Sequence, residues 1–541
     1  MKNIISPVII FLLLNISLLY SQVTQEWEAR YNGPMNSSES AYAIAVDKNG
    51  NSYVTGSSYS FSPRADVVTI KYNSDGVQEW IATYNSPIDS SDFGWSIAVD
   101  DSSNVYVAAE SYGAGTNLDY TTIKYNSSGI QQWVVRYNGT GNSIDVPKEL
   151  IIDHMGYVYV MGYSYGTKAE IAVVKYNSAG TLQWAARYTD TNSYEEYGRS
   201  VSVDAEGNVY VAGDLFTSLL YCDYVTIKYN SYGVRQWVAL YDGTANRNDQ
   251  AYSIKVNSSG YIYVTGRSEG INSSFDIVTL KYNKFGQMLW EKRYDGLSHG
   301  QDNVYDLDFD YVGNIYIGGL EGVYSPPSKI VTIKYDTSGV LKWVSRYEAR
   351  RHDRANCMKV DSIGNVYTGG LISGSNSLSD FITLKYNGEG SLQWTIMYNG
   401  PANSTDAIRA ISINNSGNVW VTGVSGGNNG PSGDFCTIKY SQIIGIQPVS
   451  SEIPTKFSLS QNYPNPFNPT TNIEFSIPQN SLVVLKIFDV IGREIKTLVN
   501  EYLSPGTYKV EFDALSYPSG VYYYRIISEN YSETKKLILL K

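Results

Sequence analysis

Tryptophan recurs along this chain at an almost constant interval, and this period constrains the fold more strongly than any other feature of the sequence. Successive members of the series lie 53, 53, 51, 53, 53, 53 and 51 residues apart. The members are Trp27, Trp80, Trp133, Trp184, Trp237, Trp290, Trp343 and Trp394. A fixed period of this length is typical of arrays in which one supersecondary unit is repeated and packs against its neighbours. We therefore expect one structural unit per interval.

Each unit contains four short segments with the alternation and the β-branched or aromatic content of strands. In the unit at residues 41–84 these segments read AYAIAVD, NSYVTG, DVVTIKY and QEWIATY. The 49 Tyr and 47 Gly of the chain suit pleated strands joined by turns. Four strands per unit in a regular array predict an all-β fold built from the blades of a β-propeller.

The number and the phase of the segments predict how the array is closed. Each segment type occurs eight times, which predicts an eight-bladed β-propeller of four-stranded blades. The chain enters the array with an isolated fourth-type strand at 27–31 and leaves it after a third-type strand at 434–440. An open array would leave strand edges unpaired. We therefore expect the N-terminal strand to pair with the strand that ends at Tyr440 and to close the ring.

Short motifs within the units connect them to a known repeat. The segments GNVYVAG at 207–213 and DYVTIKYN at 223–230 resemble the seven-bladed-propeller (SBBP) repeats of exported bacterial proteins. The resemblance implies a propeller outside the cytoplasm. The expected number of eight blades comes from counting segments in this sequence and departs from the family name.

The first residues have the three parts of a secretory signal peptide. Lys2 supplies a short positive region, residues 7–20 are mainly apolar, and Ser21 is a small residue before polar Gln22. Asn15 and Ser17 interrupt an apolar run that is already shorter than the roughly 20 residues of a membrane span. We predict a signal peptide at 1–21, export, and no transmembrane segment in the mature chain.

The charge of the chain argues against nucleic acid as a partner. Lys and Arg number 41 and Asp and Glu number 52, so the net charge is −11. Proteins that bind nucleic acid neutralise phosphates with clustered basic residues, and this chain has no basic run. We expect no nucleic-acid partner.

The residues that carry most catalytic and metal chemistry are scarce and scattered. The three His lie in different repeats, and no HExxH, GxSxG or phosphate-loop motif is present, so we predict no catalytic residue, no metal site and no cofactor. Segment 47–51 looks like a calcium loop, but its equivalents lose the ligands, which favours a hairpin turn. An odd number of cysteines predicts buried free thiols rather than disulfides. These cysteines are Cys222, Cys357 and Cys436.

The length of the connections distinguishes the two faces of the expected disc. One face carries hairpins of constant length, whereas the loops of the other face vary, and variable loops are where function is usually located. The variable loops also carry aromatic residues, whose amphipathic rings suit contacts with polysaccharide or protein. We predict a ligand-binding set on this face: Tyr59, Tyr112, Tyr163, Tyr165, Phe216 and Tyr324.

Two alternatives to a binding protein stay open on the sequence alone. One is an extracellular polymer-degrading glycosidase or lyase, which would use paired carboxylates at the mouth of the propeller channel. The carboxylates that recur there are Glu39, Asp92, Asp145, Glu195, Glu196, Asp249, Asp302, Asp353 and Asp406. Their regular recurrence favours structural hydrogen bonding. The other alternative is a structural component of the cell surface.

The repeat ends at Tyr440 and a second unit follows. Residues 441–456 have the Pro, Ser and Gln content of a linker. Residues 457–541 contain about seven short strands separated by turn signals, which predicts an immunoglobulin-like β-sandwich. We therefore expect a signal peptide at 1–21, a propeller at 22–440, a linker at 441–456 and a sandwich at 457–541.

Several motifs of the second unit occur in the order found in one family. These are YPNPFNP at 463–469, FDVIGREIKTL at 488–498, SGVYYYRI at 519–526 and the final KKLILLK. They resemble the type A C-terminal sorting domain of the type IX secretion system. The residues that carry the resemblance are Pro464, Asn465, Pro466, Phe467, Asn468, Pro469, Gly492, Arg493, Gly520, Tyr522 and Lys541.

The resemblance implies the partner and the destination of the chain. It implies recognition by the type IX machinery at the outer membrane and removal of the sandwich by a protease. The product would be released or attached to the cell surface. We expect a secreted propeller that binds polysaccharide or protein through its variable-loop face.

Overall fold

The computed structural model describes residues 23–541 except for 62–63, 272, 324–327, 349–352, 363, 374–377, 415–416, 428–432, 443–446, 451–453, 480, 504, 516 and 529–530. Within the described ranges it contains 40 strands and no helix, arranged in ten four-stranded sheets. The all-β prediction is confirmed. The predicted signal peptide at 1–21 lies outside the described residues. No described segment is a helix able to cross a membrane.

Seven sheets are each formed by four strands that follow one another along the chain. Sheet 1 contains β2 (Glu39–Val46), β3 (Ser52–Phe61), β4 (Arg64–Tyr72) and β5 (Gln78–Tyr84). Sheet 2 contains β6 (Asp92–Val99), β7 (Val105–Tyr112), β8 (Leu118–Tyr125) and β9 (Gln131–Tyr137). Sheet 3 contains β10 (Asp145–Ile152), β11 (Val158–Tyr165), β12 (Ala169–Tyr176) and β13 (Leu182–Tyr188). Sheet 4 contains β14 (Glu195–Val203), β15 (Val209–Phe216), β16 (Cys222–Tyr229) and β17 (Arg235–Tyr241).

The next three sheets repeat this order. Sheet 5 contains β18 (Asp249–Val256), β19 (Ile262–Glu269), β20 (Phe275–Tyr282) and β21 (Met288–Tyr294). Sheet 6 contains β22 (Asn303–Phe309), β23 (Ile315–Glu321), β24 (Lys329–Tyr335) and β25 (Leu341–Glu348). Sheet 7 contains β26 (Arg354–Val360), β27 (Val366–Ile372), β28 (Asp380–Tyr386) and β29 (Leu392–Tyr398).

Sheet 8 is completed by a strand from the start of the chain. Its consecutive strands are β30 (Asp406–Ile413), β31 (Val419–Gly426) and β32 (Gly433–Gln442), and β1 (Val23–Tyr31) is its outer strand. β1 pairs antiparallel with β32, with Ala29 opposite Thr437 and Glu28 opposite Ile438. The predicted pairing of the N-terminal strand with the strand that ends the repeat is confirmed.

Consecutive sheets pack against each other, and the last sheet packs against the first. The first strands make contacts in the series β2, β6, β10, β14, β18, β22, β26 and β30, and β30 also contacts β2. Each hydrophobic cluster of these sheets combines residues of two neighbours, as when Ile171 of sheet 3 packs with Val211 of sheet 4. Phe435 of sheet 8 packs with Ala41 and Val54 of sheet 1 in the same way. The core is therefore distributed between sheets.

The periodic tryptophans lie on the outer strands and join each sheet to the next. Trp27 donates its indole N–H to the carbonyl of Ser74, 3.0 Å away in the third-to-fourth-strand hairpin of sheet 1. Gly76 of that hairpin has φ +82°, and a Cβ there would lie 2.6 Å from the Trp27 ring. Because the indole occupies this space, the hairpin requires glycine. Trp80 makes the equivalent bond to Ser127 of sheet 2, at 3.1 Å.

The C-terminal residues form two sheets that share one core. One sheet contains β33 (Gln447–Ser450), β34 (Ser458–Leu459), β35 (Thr470–Ile477) and β38 (Gly506–Asp513). The other contains β36 (Ser481–Phe488), β37 (Glu494–Leu503), β39 (Gly520–Ser528) and β40 (Tyr531–Leu539). Buried side chains of both sheets, such as Phe475 and Tyr524, form a single cluster. β33 lies within the segment predicted as linker and pairs with β38, so part of 441–456 is a strand.

Trp27→Ala is expected to release the N-terminal strand. The substitution removes the indole contacts with the sheet 1 hairpin and leaves β1 attached by its pairing with β32 and by the side-chain bonds of Arg30 to Tyr398 and Asp434. We expect amide exchange in residues 23–31 to accelerate by about tenfold or more, because local opening of an edge strand becomes less costly. Hydrogen exchange followed by mass spectrometry measures this rate.

Trp133→Ala is the matched control, because Trp133 makes the same kind of bond to Ser178 at 3.2 Å while its strand is joined to the chain at both ends. It is expected to leave exchange in residues 23–31 unchanged. Equal protection of these residues in wild type and Trp27→Ala would contradict the role assigned to Trp27.

Candidate functional site

Three positions of the repeat change identity from sheet to sheet although the positions around them are regular. The first position follows the carboxylate that recurs at the start of the first strand, and the second position lies two residues after the first. The third is the second-strand residue that pairs with the first. We call this set the bulge layer. In sheets 1 to 4 it contains Ser40, Tyr42, Ser57, Phe93, Trp95, Glu110, Val146, Lys148, Tyr163, Tyr197, Arg199 and Asp214. In sheets 5 to 8 it contains Gln250, Tyr252, Arg267, Asn303, Tyr305, Leu320, Arg354, Asn356, Leu371, Ala407, Arg409 and Val424.

A β-bulge positions the second member of the layer in every sheet. The register between the first two strands shifts between Ala41 and Ala43, so Tyr42 has no partner in the ladder. The same shift leaves Trp95 without a partner in sheet 2. A bulge bends the strand and redirects the side chain of the extra residue. In each sheet one side chain therefore does not follow the regular alternation of the strand.

Aromatic and charged members of the layer contact each other across sheet boundaries. The rings of Tyr42 and Trp95 have centroids 4.7 Å apart. The Lys148 ammonium lies 5.5 Å from the ring centroids of both Trp95 and Tyr163. Burial lowers the pKa of Lys148, with Glu110 opposing this shift. A cation between two aromatic rings is a recognised stabilising arrangement.

Three of the predicted ligand-binding residues, Tyr163, Tyr165 and Phe216, lie close together beside Lys148. Tyr163 is 4.8 Å from Tyr197 between ring centroids, and Phe216 is 5.7 Å from Tyr197. The hydroxyls of Tyr165 and Tyr197 are 2.8 Å apart. Tyr197 also donates to Glu195 Oε2 at 2.6 Å. Burial and this acceptor raise the pKa of the Tyr197 hydroxyl, so it is a hydrogen-bond donor at neutral pH.

The other predicted ligand-binding residues are placed differently. Tyr59 and Tyr112 are half-buried near the ends of β3 and β7, at the repeat position that Tyr165 occupies in β11. They lie in sheets 1 and 2 and are not members of the contacting group around Tyr197. Tyr324 lies outside the described residues. Sequence reasoning missed Tyr42, Trp95 and Tyr197, although a position that varies within an otherwise regular repeat was a signal for them.

The recurring first-strand carboxylates bind the loops between sheets. Asp92, Asp249 and Asp302 each accept a hydrogen bond from a backbone N–H six residues earlier, at 2.6, 2.6 and 2.7 Å. Asp302 also accepts from the N–H of Gly322 at 3.0 Å. Burial raises the pKa of Asp302 to about 7 and that of Asp249 to about 6. These groups hold loops in place, and buried polar groups of this kind are normally satisfied in this way.

A second row of carboxylates, on the third strands, is paired with arginine in some sheets but not in sheet 4. Arg293 lies 2.9 Å from Asp276 in sheet 5. The position equivalent to Arg293 in sheet 4 is Leu240, which is 53% exposed. Carboxylate oxygens of Asp223, Asp242 and Asp249 lie within 4.8 Å of one another there. Burial and these two neighbours raise the pKa of Asp223 to about 7.

The cysteines are unpaired, as predicted from their number and positions. Cys222 and Cys436 are buried and Cys357 is partly buried, and none forms a disulfide. Burial raises the pKa of the Cys222 thiol to about 12. A thiol with a raised pKa is a poor nucleophile.

The motif at 464–469 attaches the last strand to the C-terminal unit. The Phe467 N–H donates to the carbonyl of Ile538, and the Phe467 carbonyl accepts from Leu540, both at 3.0 Å. Asn465 Oδ1 accepts from the N–H of Ile538 at 3.0 Å. The Phe467 side chain is 2% exposed in the shared core. The motif therefore bonds to the edge of β40 that does not pair with β39.

The remaining motif residues lie in turns and at strand ends. Gly492 has φ +82° in the turn before β37, and Arg493 donates to Asp489 at 3.0 Å. Gly520 pairs with Leu539. Tyr522 donates to the carbonyl of Pro518 at 2.7 Å, and the Lys541 N–H donates to Ser519 at 2.9 Å. The Gly520–Leu539 pair and the Lys541–Ser519 bond connect the SGVYYYRI and KKLILLK motifs.

Two family profiles match the chain. The profile of the secretion system C-terminal sorting domain matches residues 461–540, and that of the SBBP beta-propeller repeat matches residues 32–61. The chain carries a type IX sorting domain. Both profiles belong to the families that the sequence motifs resemble. The sorting domain directs the protein to secretion and to the outer surface of the cell.

The solved structures that match this chain are distant from it. A fungal alcohol oxidase of the AA5 family is 11% identical with a TM-score of 0.39, and the match covers 96% of this chain and 100% of that one. A Dyadobacter fermentans protein is 12% identical with a TM-score of 0.33, covering 57% and 97%. An α-L-arabinofuranosidase of family GH93 from Fusarium graminearum is 10% identical with a TM-score of 0.34, covering 51% and 86%. No curated protein matches the chain.

Asp223→Asn is expected to stabilise the protein above neutral pH. The folded-state pKa of Asp223 is raised, so its contribution to stability falls as pH rises from about 4 to about 7, and the penalty is fully present above that range. At about pH 8 the variant should raise Tm, and at about pH 4 it should leave Tm unchanged. Leu240→Arg should also raise Tm at the higher pH, because it supplies the missing cation. Thermal unfolding at the two pH values measures this.

Glu321→Gln is the control of opposite sign. Glu321 lies 2.7 Å from Arg346, and its pKa is lowered by Tyr294 and Arg346 despite burial. Its stabilisation is present above the unfolded pKa and lost as pH falls, so the variant should lower Tm at about pH 8. A decrease of Tm in Asp223→Asn at that pH would contradict the electrostatic account.

Phe467→Ala is expected to block export. Removing a buried Phe side chain costs about 3–5 kcal/mol, and here it also loosens the motif that holds β40. The variant should accumulate inside the cell envelope of a host with the type IX machinery, as measured by immunoblots of medium, cell surface and periplasm. Tyr463→Ala is the control, because Tyr463 is adjacent but 80% exposed, and its export should persist. Normal export of Phe467→Ala would argue against this role of the motif.

Proposed function

We propose that the eight sheets of residues 22–440 are the blades of an eight-bladed β-propeller, closed by β1. The circular series of first-strand contacts supports this proposal. The first strands would line a central channel, and the bulge layer would surround one mouth of it. The two C-terminal sheets would form an immunoglobulin-like sandwich that contains residues 457–541 together with β33 from the segment before them.

The proposed function is that of a secreted or surface-attached binding protein. The observation that carries it is the group formed by Tyr163, Tyr165, Tyr197 and Phe216 beside Lys148. Rings with hydroxyls and a nearby cation, brought together from two sheets, suit a polar ligand with apolar faces. Polysaccharide and protein are the ligand classes that fit this surface.

The burial and the hydrogen bonds of the recurring first-strand carboxylates favour binding over catalysis. A glycosidase needs two carboxyl groups that face a common substrate. The first-strand carboxylates are instead buried and accept loop N–H groups, as Asp145 and Asp406 do at 2.7 and 2.6 Å. Glu195 is an exception in facing the tyrosine group, where Tyr197 donates to it.

Processing would separate the two units. Gln442 belongs to the propeller, since its Oε1 lies 3.3 Å from the indole nitrogen of Trp394. Removal of the sandwich should therefore occur between Gln442 and Phe457 and leave the eight sheets intact. Recovery of secreted protein that retains Leu537 to Lys541 would count against removal.

Tyr165→Ala tests the binding surface. The purified full chain is applied to a glycan panel and used in pull-downs of extracellular material, and bound ligands are titrated. We expect the substitution to weaken binding by about tenfold, as truncation of a contact aromatic does. Tyr232→Ala is the control, because Tyr232 is 80% exposed in a third-to-fourth-strand hairpin. If no ligand is found, the protein is better described as a structural surface component. If Tyr232→Ala has the larger effect, the ligand binds at another surface and the role assigned to the tyrosine group is wrong.

A further inference from the structure

The bulge layer is electrically asymmetric. In sheets 1 to 4 its charged members are Lys148, Arg199, Glu110 and Asp214, so positive and negative charges balance. Arg199 and Asp214 are moreover paired at 2.7 Å. In sheets 5 to 8 the three positions contain three arginines and no carboxylate. The arginines of this half, which we call the basic half, are Arg267, Arg354 and Arg409.

Arg267 is held in place by neutral groups. Its Nε and Nη1 donate to Gln250 Oε1 and Asn303 Oδ1, each at 2.8 Å. Its guanidinium carbon lies 4.4 Å from the Phe275 ring centroid and 5.8 Å from that of Tyr252. No salt bridge of Arg267 occurs within the described residues. The guanidinium is therefore held in a fixed orientation, which lowers the entropic cost of binding an anion.

Carboxylates near this half are engaged by other partners: Asp214 of sheet 4, which also acts on Arg267, is paired with Arg199 at 2.7 Å. Asp302 and Asp406 precede the layer by one residue, are fully buried, and accept backbone N–H groups from Gly296 and Gly400. Glu321 follows Leu320 and is paired with Arg346 on the outer strand. A local excess of positive charge therefore occurs on a protein whose net charge is −11.

Aromatic rings alternate with these cations. Tyr252 and Tyr305 occupy the bulge positions of sheets 5 and 6 and are half-buried. Tyr252 lies beside Arg267, and Arg354 and Arg267 are among the charges that act on the Tyr305 hydroxyl. Tyrosine faces stack on sugar rings, and guanidinium groups bind carboxylates in a bidentate manner. An alternating pattern of the two suits a polymer whose sugar rings carry acid groups.

Resting on the proposed function, we propose that the basic half of the bulge layer binds an acidic glycan, with the uronate carboxylates on Arg267, Arg354 and Arg409. The neighbouring tyrosines contact the sugar rings. The net negative charge of the rest of the protein opposes unspecific attraction of polyanions, so binding depends on these residues.

The test titrates the purified full chain with polygalacturonate, dextran sulfate, uncharged dextran and poly-glutamate at low and moderate salt. We expect polygalacturonate to bind most tightly and dextran not to bind. Arg267→Gln and Arg354→Gln should each weaken polygalacturonate binding by about tenfold, consistent with loss of a charge-assisted contact. Arg235→Gln is the charge-matched control, because Arg235 is exposed at the start of β17, and it should change affinity by less than about twofold.

Three results would overturn the inference: absence of polygalacturonate binding, equal loss in Arg235→Gln, or tighter binding of poly-glutamate. Tighter binding of dextran sulfate would assign the site to sulfated rather than uronate glycans. If Tyr165→Ala weakens binding of a neutral glycan or a protein while polygalacturonate does not bind, the acidic-glycan inference fails and the proposed binding function stands.

Discussion

The contact between an outer-strand tryptophan and the hairpin of the next sheet is the interaction on which the array depends. An individual sheet has too little core of its own, since each hydrophobic cluster is built from two neighbouring sheets. At seven boundaries the indole fills the space above a glycine with positive φ, and at six of them it also bonds a hairpin carbonyl, which fixes the distance between sheets. Trp27, on the N-terminal strand β1, makes this contact with the hairpin of sheet 1. The same local rule therefore joins sheet 8 to sheet 1.

The carboxylates of the array also have partners that recur from sheet to sheet, with local exceptions. First-strand carboxylates are buried at the price of a raised pKa, and backbone N–H groups of the loops offset part of this cost. Third-strand carboxylates of several sheets are paired with an arginine of the adjacent strand, as Asp276 is with Arg293. In sheet 4 Leu240 stands in that place, and the three close carboxylates Asp223, Asp242 and Asp249 lack this cation. The array tolerates this because its stability is distributed over many equivalent contacts.

Much of the fold was predictable because its determinants are local. The four strands of a unit follow from alternation, and the pairing of β1 with β32 follows from a spare outer strand at one end and a missing one at the other. The aromatic group was predicted in part: Tyr163, Tyr165 and Phe216 meet, whereas Tyr59 and Tyr112 lie elsewhere. Tyr42 and Trp95 were missed because a bulge depends on the register between two strands, and Tyr197 was missed because its contact with Tyr163 comes from the neighbouring sheet. β33 was missed because four residues that pair with β38 look like a linker.

The bulges have a consequence for how such proteins diversify. A bulged residue has no partner in the ladder and its side chain does not follow the regular alternation, so its identity is largely uncoupled from strand pairing. Substitutions at these eight places can therefore change the chemistry of one surface while the scaffold stays the same. One inherited framework can in this way acquire many recognition specificities, each by a handful of codon changes.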